Sequence, residues 1–168
     1  AKPGAGATLA PTLIQNAPPD GHLLAAMTVN SLRYPYYQKT PYDPLKDFTY
    51  IIGLSNFTFG VAVTADSPGK ANPGKLSSGS TGQGGTGHLI LLDMEKATGA
   101  KFIQVPFKGG PDAVQALLGK HIDFITDGTQ YAPLVEDGRV RVLAMATEQR
   151  VSRFKDTPTF RERGIDAI

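Results

Sequence analysis

The feature that most constrains this chain is the regular exchange of short apolar runs with amphipathic segments ended by glycine or opened by proline. Leu23–Met27, Tyr50–Leu54, Phe59–Val63, Phe102–Val105, Ile122–Ile125 and Val140–Ala146 are compact and rich in branched or aromatic residues. They read as buried strands. Helices are expected between some of them. Thr8 stands as an N-cap for one running to about Asn16, with Pro11 in its first turn. His88–Thr98 is a second, ended by Gly99. Pro111–Leu118 is a third, ended by Gly119, and Tyr131–Asp137 a fourth, ended by Gly138. This β-α-β-α order predicts an α/β domain with a mainly parallel sheet. In such sheets ligands sit beyond the carboxyl ends of the strands. The stretch from Arg33 to Phe48, with Pro35, Pro41 and Pro44 among tyrosines, reads instead as an ordered surface excursion.

Composition narrows the chemistry. The 168 residues suffice for one sizeable domain or two small lobes. The formal net charge is only +2. The basic residues between Arg139 and Arg163 are interleaved with Glu148, Asp156 and Glu162, as on a solvated face, so no nucleic-acid partner is expected. No cysteine is present, which removes disulfides, thiolate metal sites and cysteine nucleophiles together. His22, His88 and His121 fall in no metal-binding spacing, and no GxSxG elbow occurs. No metal and no cofactor are expected.

The segment Gly79-Ser80-Thr81-Gly82-Gln83-Gly84-Gly85-Thr86-Gly87-His88 carries the strongest functional signal. It contains GxGxxG at Gly82, Gly84 and Gly87. A dinucleotide site also needs an acidic residue at the end of the next strand, and Phe102-Ile103-Gln104-Val105-Pro106-Phe107 offers none. The loop's physical capability is simpler. Glycines admit close approach to the backbone, and the N–H groups of a helix start favour an anion. Ser80, Thr81 and Thr86 add hydroxyls. Lys108-Gly109-Gly110-Pro111 is a second helix start of the same kind. Asp127, in Ile125-Thr126-Asp127-Gly128-Thr129, stands at the same level of the sheet; it either caps the next helix or accepts a hydrogen bond from a ligand hydroxyl, amine or water. His88 reads as a structural hydrogen-bonding residue in preference to a catalytic base.

These motifs together resemble the extracytoplasmic receptors of tripartite tricarboxylate transporters, the Bug-type substrate-binding receptors. Pro3-Gly4-Ala5-Gly6 and Ala17-Pro18-Pro19-Asp20-Gly21 are similar to an early glycine loop and a Pro-Asp-Gly turn of that family. Pro41-Tyr42-Asp43-Pro44-Leu45-Lys46-Asp47-Phe48, Asn72-Pro73-Gly74-Lys75-Leu76, the loop at Gly82–Gly84 with His88-Leu89, and Val105-Pro106-Phe107-Lys108-Gly109-Gly110 match in order. So do Leu143-Ala144, Arg150, and Pro158-Thr159 with Glu162 and Gly164. Phe107 and Gly85 depart from the family's usual tyrosine and hydroxyl residue.

The resemblance implies a two-lobed, periplasmic binding protein-like (type II) α/β fold that closes like a flytrap, with a mainly parallel sheet in each lobe. Residues 1–65 would belong to lobe 1 and 66–168 to lobe 2, with the hinge crossing near 62–68. It further implies reversible capture of a small carboxylate (dicarboxylate, tricarboxylate or aromatic acid) in the inter-lobe cleft and delivery to the membrane permease subunits of a secondary transporter. The cleft residues would be Gly4, Ala5, Gly6, Thr28, Asn30 and Ser31 from lobe 1, and Ser80, Thr81, Gly84, Thr86, Lys108 and Asp127 from lobe 2. The protein would be a periplasmic monomer without enzymatic activity. Family members usually carry further segments before, within and after the stretch seen here, so the chain is expected to be partial. The alternatives are a nucleotide-binding enzyme using the glycine loop, or a ligand sensor feeding a signalling partner.

Overall fold

In the computed structural model, residues 8–54, 57–67 and 75–166 are described. The chain parts into two compact units, residues 1–55 and 56–168.

In the first unit, α1 (Leu9–Ile14) and α2 (Val29–Arg33) are short helices, and a 3-10 turn over Tyr34–Tyr36 follows α2 directly. Thr8 does not cap α1. Its own backbone is already helical, and its carbonyl accepts from the Thr12 hydroxyl at 2.8 Å. The proline–tyrosine stretch is less superficial than its composition suggests. Tyr34 and Tyr42 are buried, and the Tyr42 hydroxyl donates to the Ser31 carbonyl at 3.0 Å, tying the stretch to α2. Among the described residues of this unit there is no strand. Leu23–Met27 and Tyr50–Leu54 therefore differ from expectation: Leu24, Ile51 and Ile52 are 69%, 74% and 76% exposed. Apolar, β-branched character makes a segment fit for a sheet, but a ladder needs a neighbour, and none of the described segments lies alongside them.

The second unit is built on a five-stranded sheet in the order β3-β2-β4-β1-β5. Its elements are β1 (Phe59–Thr64), β2 (Ser77–Thr81), α3 (Thr86–Thr98), β3 (Ile103–Phe107), α4 (Gly110–Leu118), β4 (Phe124–Gly128), α5 (Ala132–Glu136) and β5 (Val140–Met145). β2 lies parallel to both β3 and β4, whereas β1 runs antiparallel to β4 and β5. Four strands thus share one direction and β1 opposes them. β1 belongs to this unit because it is paired on both sides with strands that follow it.

Period-two alternation sorts the core onto two faces. Ala62 and Ile125 turn to the face covered by α4 and α5, where Leu117, Tyr131 and Met145 are fully buried. Val61, Val63 and Phe124 turn to the other face, against Ile90 and Leu91 of α3 and Phe160. Gly99 closes α3 in the left-handed conformation, φ +71°. α4 ends at Gly119 as expected, with Gly119 in the right-handed region, and the left-handed residue is the next one, Lys120, φ +57°.

Ser80 and Thr81 are expected in a loop. The structure places them in β2, a central strand made entirely of small residues, Ser-Ser-Gly-Ser-Thr, three of them buried. Its hydroxyls are satisfied inside the sheet: Ser78 Oγ and Thr126 Oγ1 lie 3.1 Å apart.

Candidate functional site

Three adjacent strands end at one level. Thr81 of β2 stands opposite Phe107 of β3, and the parallel register of β2 with β4 brings Thr81 level with Asp127. The Thr81 hydroxyl donates to Asp127 Oδ2. The Gly128 N–H donates to Asp127 Oδ1 at 2.7 Å, and Gln130 adds a side-chain hydrogen bond. Asp127 is 5% exposed. Burial pushes its carboxyl above the usual carboxylate range, and these donors pull the other way. It does not cap the following helical turn.

From that edge the chain leaves β2 through two left-handed glycines, Gly82 (φ +72°) and Gly84 (φ +74°), and enters α3 at Thr86. Only glycine takes this conformation freely. The Gly82 N–H donates to the Phe107 carbonyl at 3.1 Å. Gln104, which sequence reading passed over, donates from β3 to Ser80 Oγ at 3.2 Å and to the Gly82 carbonyl at 3.5 Å. His88 receives the Gly84 N–H on Nδ1 at 3.0 Å. The expected strand–glycine loop–helix arrangement is present, and α3 starts at Gly85 with no side-chain cap.

A second uncapped helix start lies along the same edge. α4 begins behind Gly109, with Pro111 in its first turn. Gln130 covers it so closely that a Cβ at Gly110 would lie 2.1 Å from Gln130 Nε2. Both helix starts present backbone N–H groups where partial positive charge accumulates. They lie on opposite faces of the sheet and at the same edge.

The expected site residues divide as follows. Thr81, Gly84, Thr86, Lys108 and Asp127 gather at this edge of the second unit, with Lys108 exposed. Ser80 is fully buried beneath the start of α3, so its hydroxyl meets Gln104 and not the loop's open side. Thr28, Asn30 and Ser31 lie together at α2 in the first unit. Thr28 Oγ1 and Asn30 Oδ1 are buried there without a partner among the described residues, whereas Ser31 is fully buried and its carbonyl is taken by Tyr42. Gly4, Ala5 and Gly6 lie outside the described residues. No group of three or more His, Cys, Asp or Glu residues is placed to hold a metal ion among the described residues.

Comparison with known proteins gives one consistent answer. The description "Tripartite tricarboxylate transporter family receptor" matches residues 1–168. A Cupriavidus necator protein, the UPF0065 protein in the gbd 5' region, is 41% identical over 99% of this chain and 54% of its own length. The chain thus spans about half the length of the curated relatives it matches. Among solved structures, one described as a periplasmic transporter is 34% identical, with a TM-score of 0.89 over 98% of this chain and 59% of that one. MatC from Rhodopseudomonas palustris, with bound malate, is 26% identical, with a TM-score of 0.82 over 98% of this chain and 60% of that one.

Proposed function

Since this chain belongs to the tripartite tricarboxylate transporter receptor family, we propose that it serves as the ligand-capturing part of a periplasmic receptor for a small carboxylate. The captured ligand is then delivered to a membrane permease. The observation that carries this reading is the shared strand edge. The Gly82–Gly85 loop, the α3 start and the α4 start converge at the level of Thr81, Phe107 and Asp127. Backbone amides of this kind recognise a carboxylate without an arginine clamp. The malate bound in MatC supports a dicarboxylate as the class to test first.

We infer different work for these residues. The backbone amides at the starts of α3 and α4, with Lys108, meet the anion. Asp127, an acceptor only when ionised, holds Thr81 and the end of β4 in place and stays off the anion. Ser80 and Gln104 brace the loop from beneath. Thr28 Oγ1 and Asn30 Oδ1, buried without a partner among the described residues, are candidate ligand contacts within the unit of residues 1–55.

A thermal-shift screen of the receptor against C4–C6 dicarboxylates, tricarboxylates, amino acids and aromatic acids, with NAD and ATP as controls, tests the reading. A ligand at about 100 times its Kd adds about 2.7 kcal/mol, a rise of several degrees. A carboxylate that shifts the midpoint while the nucleotides do not is the expected result. A shift by a nucleotide alone sinks the proposal.

A further inference from the structure

We propose that His88 is the positioning residue of the glycine loop and that it works only as the neutral imidazole. The loop reverses between β2 and α3 through two left-handed glycines with one residue between them. Such a turn has no side chain at either glycine to lock it, so its peptide planes are set by what their N–H and C=O groups meet. Gly82 is held on both sides, its N–H by the Phe107 carbonyl and its own carbonyl by Gln104. At Gly84 the N–H is taken by His88 Nδ1, 3.0 Å away, on the first turn of the helix that the loop opens. An imidazole nitrogen that accepts carries a lone pair, so the proton of neutral His88 sits on Nε2. Protonation puts a second N–H at Nδ1, facing the N–H of Gly84. That bond is then lost, and the Gly84 N–H no longer has His88 as its acceptor.

Among the described residues, few charges lie near His88. On α3 itself Glu95, seven residues on, is the acid within electrostatic range, and it is already engaged by the Phe102 N–H at 2.8 Å and Lys101 at 3.2 Å. The strands packed against α3 turn Ser80, Phe124, Val61 and Val63 toward it, none of which titrates. The Asp127 carboxylate alternates to the opposite face of β4 and reaches Thr81 there.

The inference rests on the proposed carboxylate site in its binding readout alone; the loop readout stands without it. The test uses the receptor as wild type, His88→Asn and His88→Ala. Asparagine places its Oδ1 close to where histidine carries Nδ1, so it accepts from Gly84 without titrating. By NMR, the Gly84 amide signal of the wild type is expected to move in step with the His88 ring signals as the solution is acidified. In His88→Asn it is expected to hold still. With malate as probe, affinity is expected to fall about fivefold in His88→Ala, as one hydrogen bond's worth of loop order is lost. It should be restored in His88→Asn, and the acid-side weakening of the wild type should be absent from that variant. A Gly84 amide indifferent to His88 protonation overturns the inference. So does an affinity that rises on acidification, because His88 would then act on the anion as a cation. Failure of wild type to bind malate or any other carboxylate removes the site reading, and the Gly84 titration still decides the role of His88.

Discussion

Gly87, in the first turn of α3, is pressed against the backbone of Thr126 on β4: a Cβ at Gly87 would lie 1.8 Å from the Thr126 carbonyl oxygen and 3.0 Å from Ser80 Cβ. The obstruction is buried main chain in the middle of a sheet, so it cannot swing away as a side-chain tip would. Gly87→Ala is therefore expected to cost about 3 kcal/mol or more, by forcing the start of α3 off the sheet. Gly99→Ala, at the other end of the same helix, meets no atom within 4 Å and pays only for its left-handed backbone, about 1 kcal/mol. Urea unfolding of both variants measures the contrast; equal losses would mean that α3 is not seated in this way.

Tyr131 presents the reverse case, a group whose removal helps. Its side chain is fully buried against Gly60 and Met145, and its hydroxyl has no hydrogen-bond partner among the described residues. Burial, and then the charge of Asp127, drive its ionisation well above the ordinary tyrosine range, so it stays a neutral phenol. Tyr131→Phe keeps the ring and removes an unpaired buried dipole. Its expected effect is a gain of up to about 1 kcal/mol in denaturant unfolding. A loss of similar size would show that the hydroxyl has a partner in solution.

The two cases also mark what could be read from the residues alone. β1, β4 and β5 announce themselves through branched apolar runs, and α3 and α4 through their glycine and proline boundaries. β2 does not, because Ser77-Ser78-Gly79-Ser80-Thr81 carries no hydrophobic signal; it is a strand because β3 and β4 flank it and its hydroxyls pair across the sheet. For the same reason Ser80 was expected on the open side of the loop and lies under α3. Leu23–Met27 and Tyr50–Leu54 show the opposite failure, local strand character without a neighbour to pair among the described residues. At the site, Gly82 and Gly84 were legible, since glycine spacing reports backbone conformation directly. Gln104 and Gln130 were not, since an amide side chain gains its role only from where the fold delivers it.

Asp127 makes a prediction with a definite sign. Burial raises its folded-state pKa, so between the unfolded value and that raised value the folded chain holds the extra proton. Its contribution to stability is present at acid pH and is lost as pH rises through the folded value. Asp127→Asn keeps the shape and removes the charge. The variant is expected to match wild type at acid pH and to gain on it progressively toward neutral pH. Thermal midpoints at a series of pH values provide the measurement. A variant that falls below wild type at neutral pH would show that the hydrogen bonds from Thr81 and Gly128 outweigh the burial of the charge.

Glu162 carries the opposite sign and guards a different place. Its carboxylate accepts from Arg150 Nε at 3.0 Å and from the Thr159 N–H at 2.8 Å, while Thr159 Oγ1 accepts from the Glu162 N–H at 3.3 Å. This reciprocal Thr-x-x-Glu pair is the capping-box arrangement. It fixes Pro158–Phe160 where that segment pairs with Met145 and sends Phe160 into the core beside α3. The Arg150 guanidinium, and then the Thr159 amide, hold the Glu162 carboxyl below its ordinary range. Its stabilising contribution is therefore present above the unfolded-state value and is lost as pH falls through the lowered one. Because the pair is exposed, its effect on global stability is expected to be small and its local effect large. In Glu162→Gln, hydrogen exchange at the Thr159 amide is expected to speed up at neutral pH while the exchange of β1 and β4 amides is unchanged. Acidifying the wild type below the Glu162 value should produce the same local loosening. Unaltered exchange at Thr159 in the variant would leave the Met145 pairing as the sole fastening of this segment.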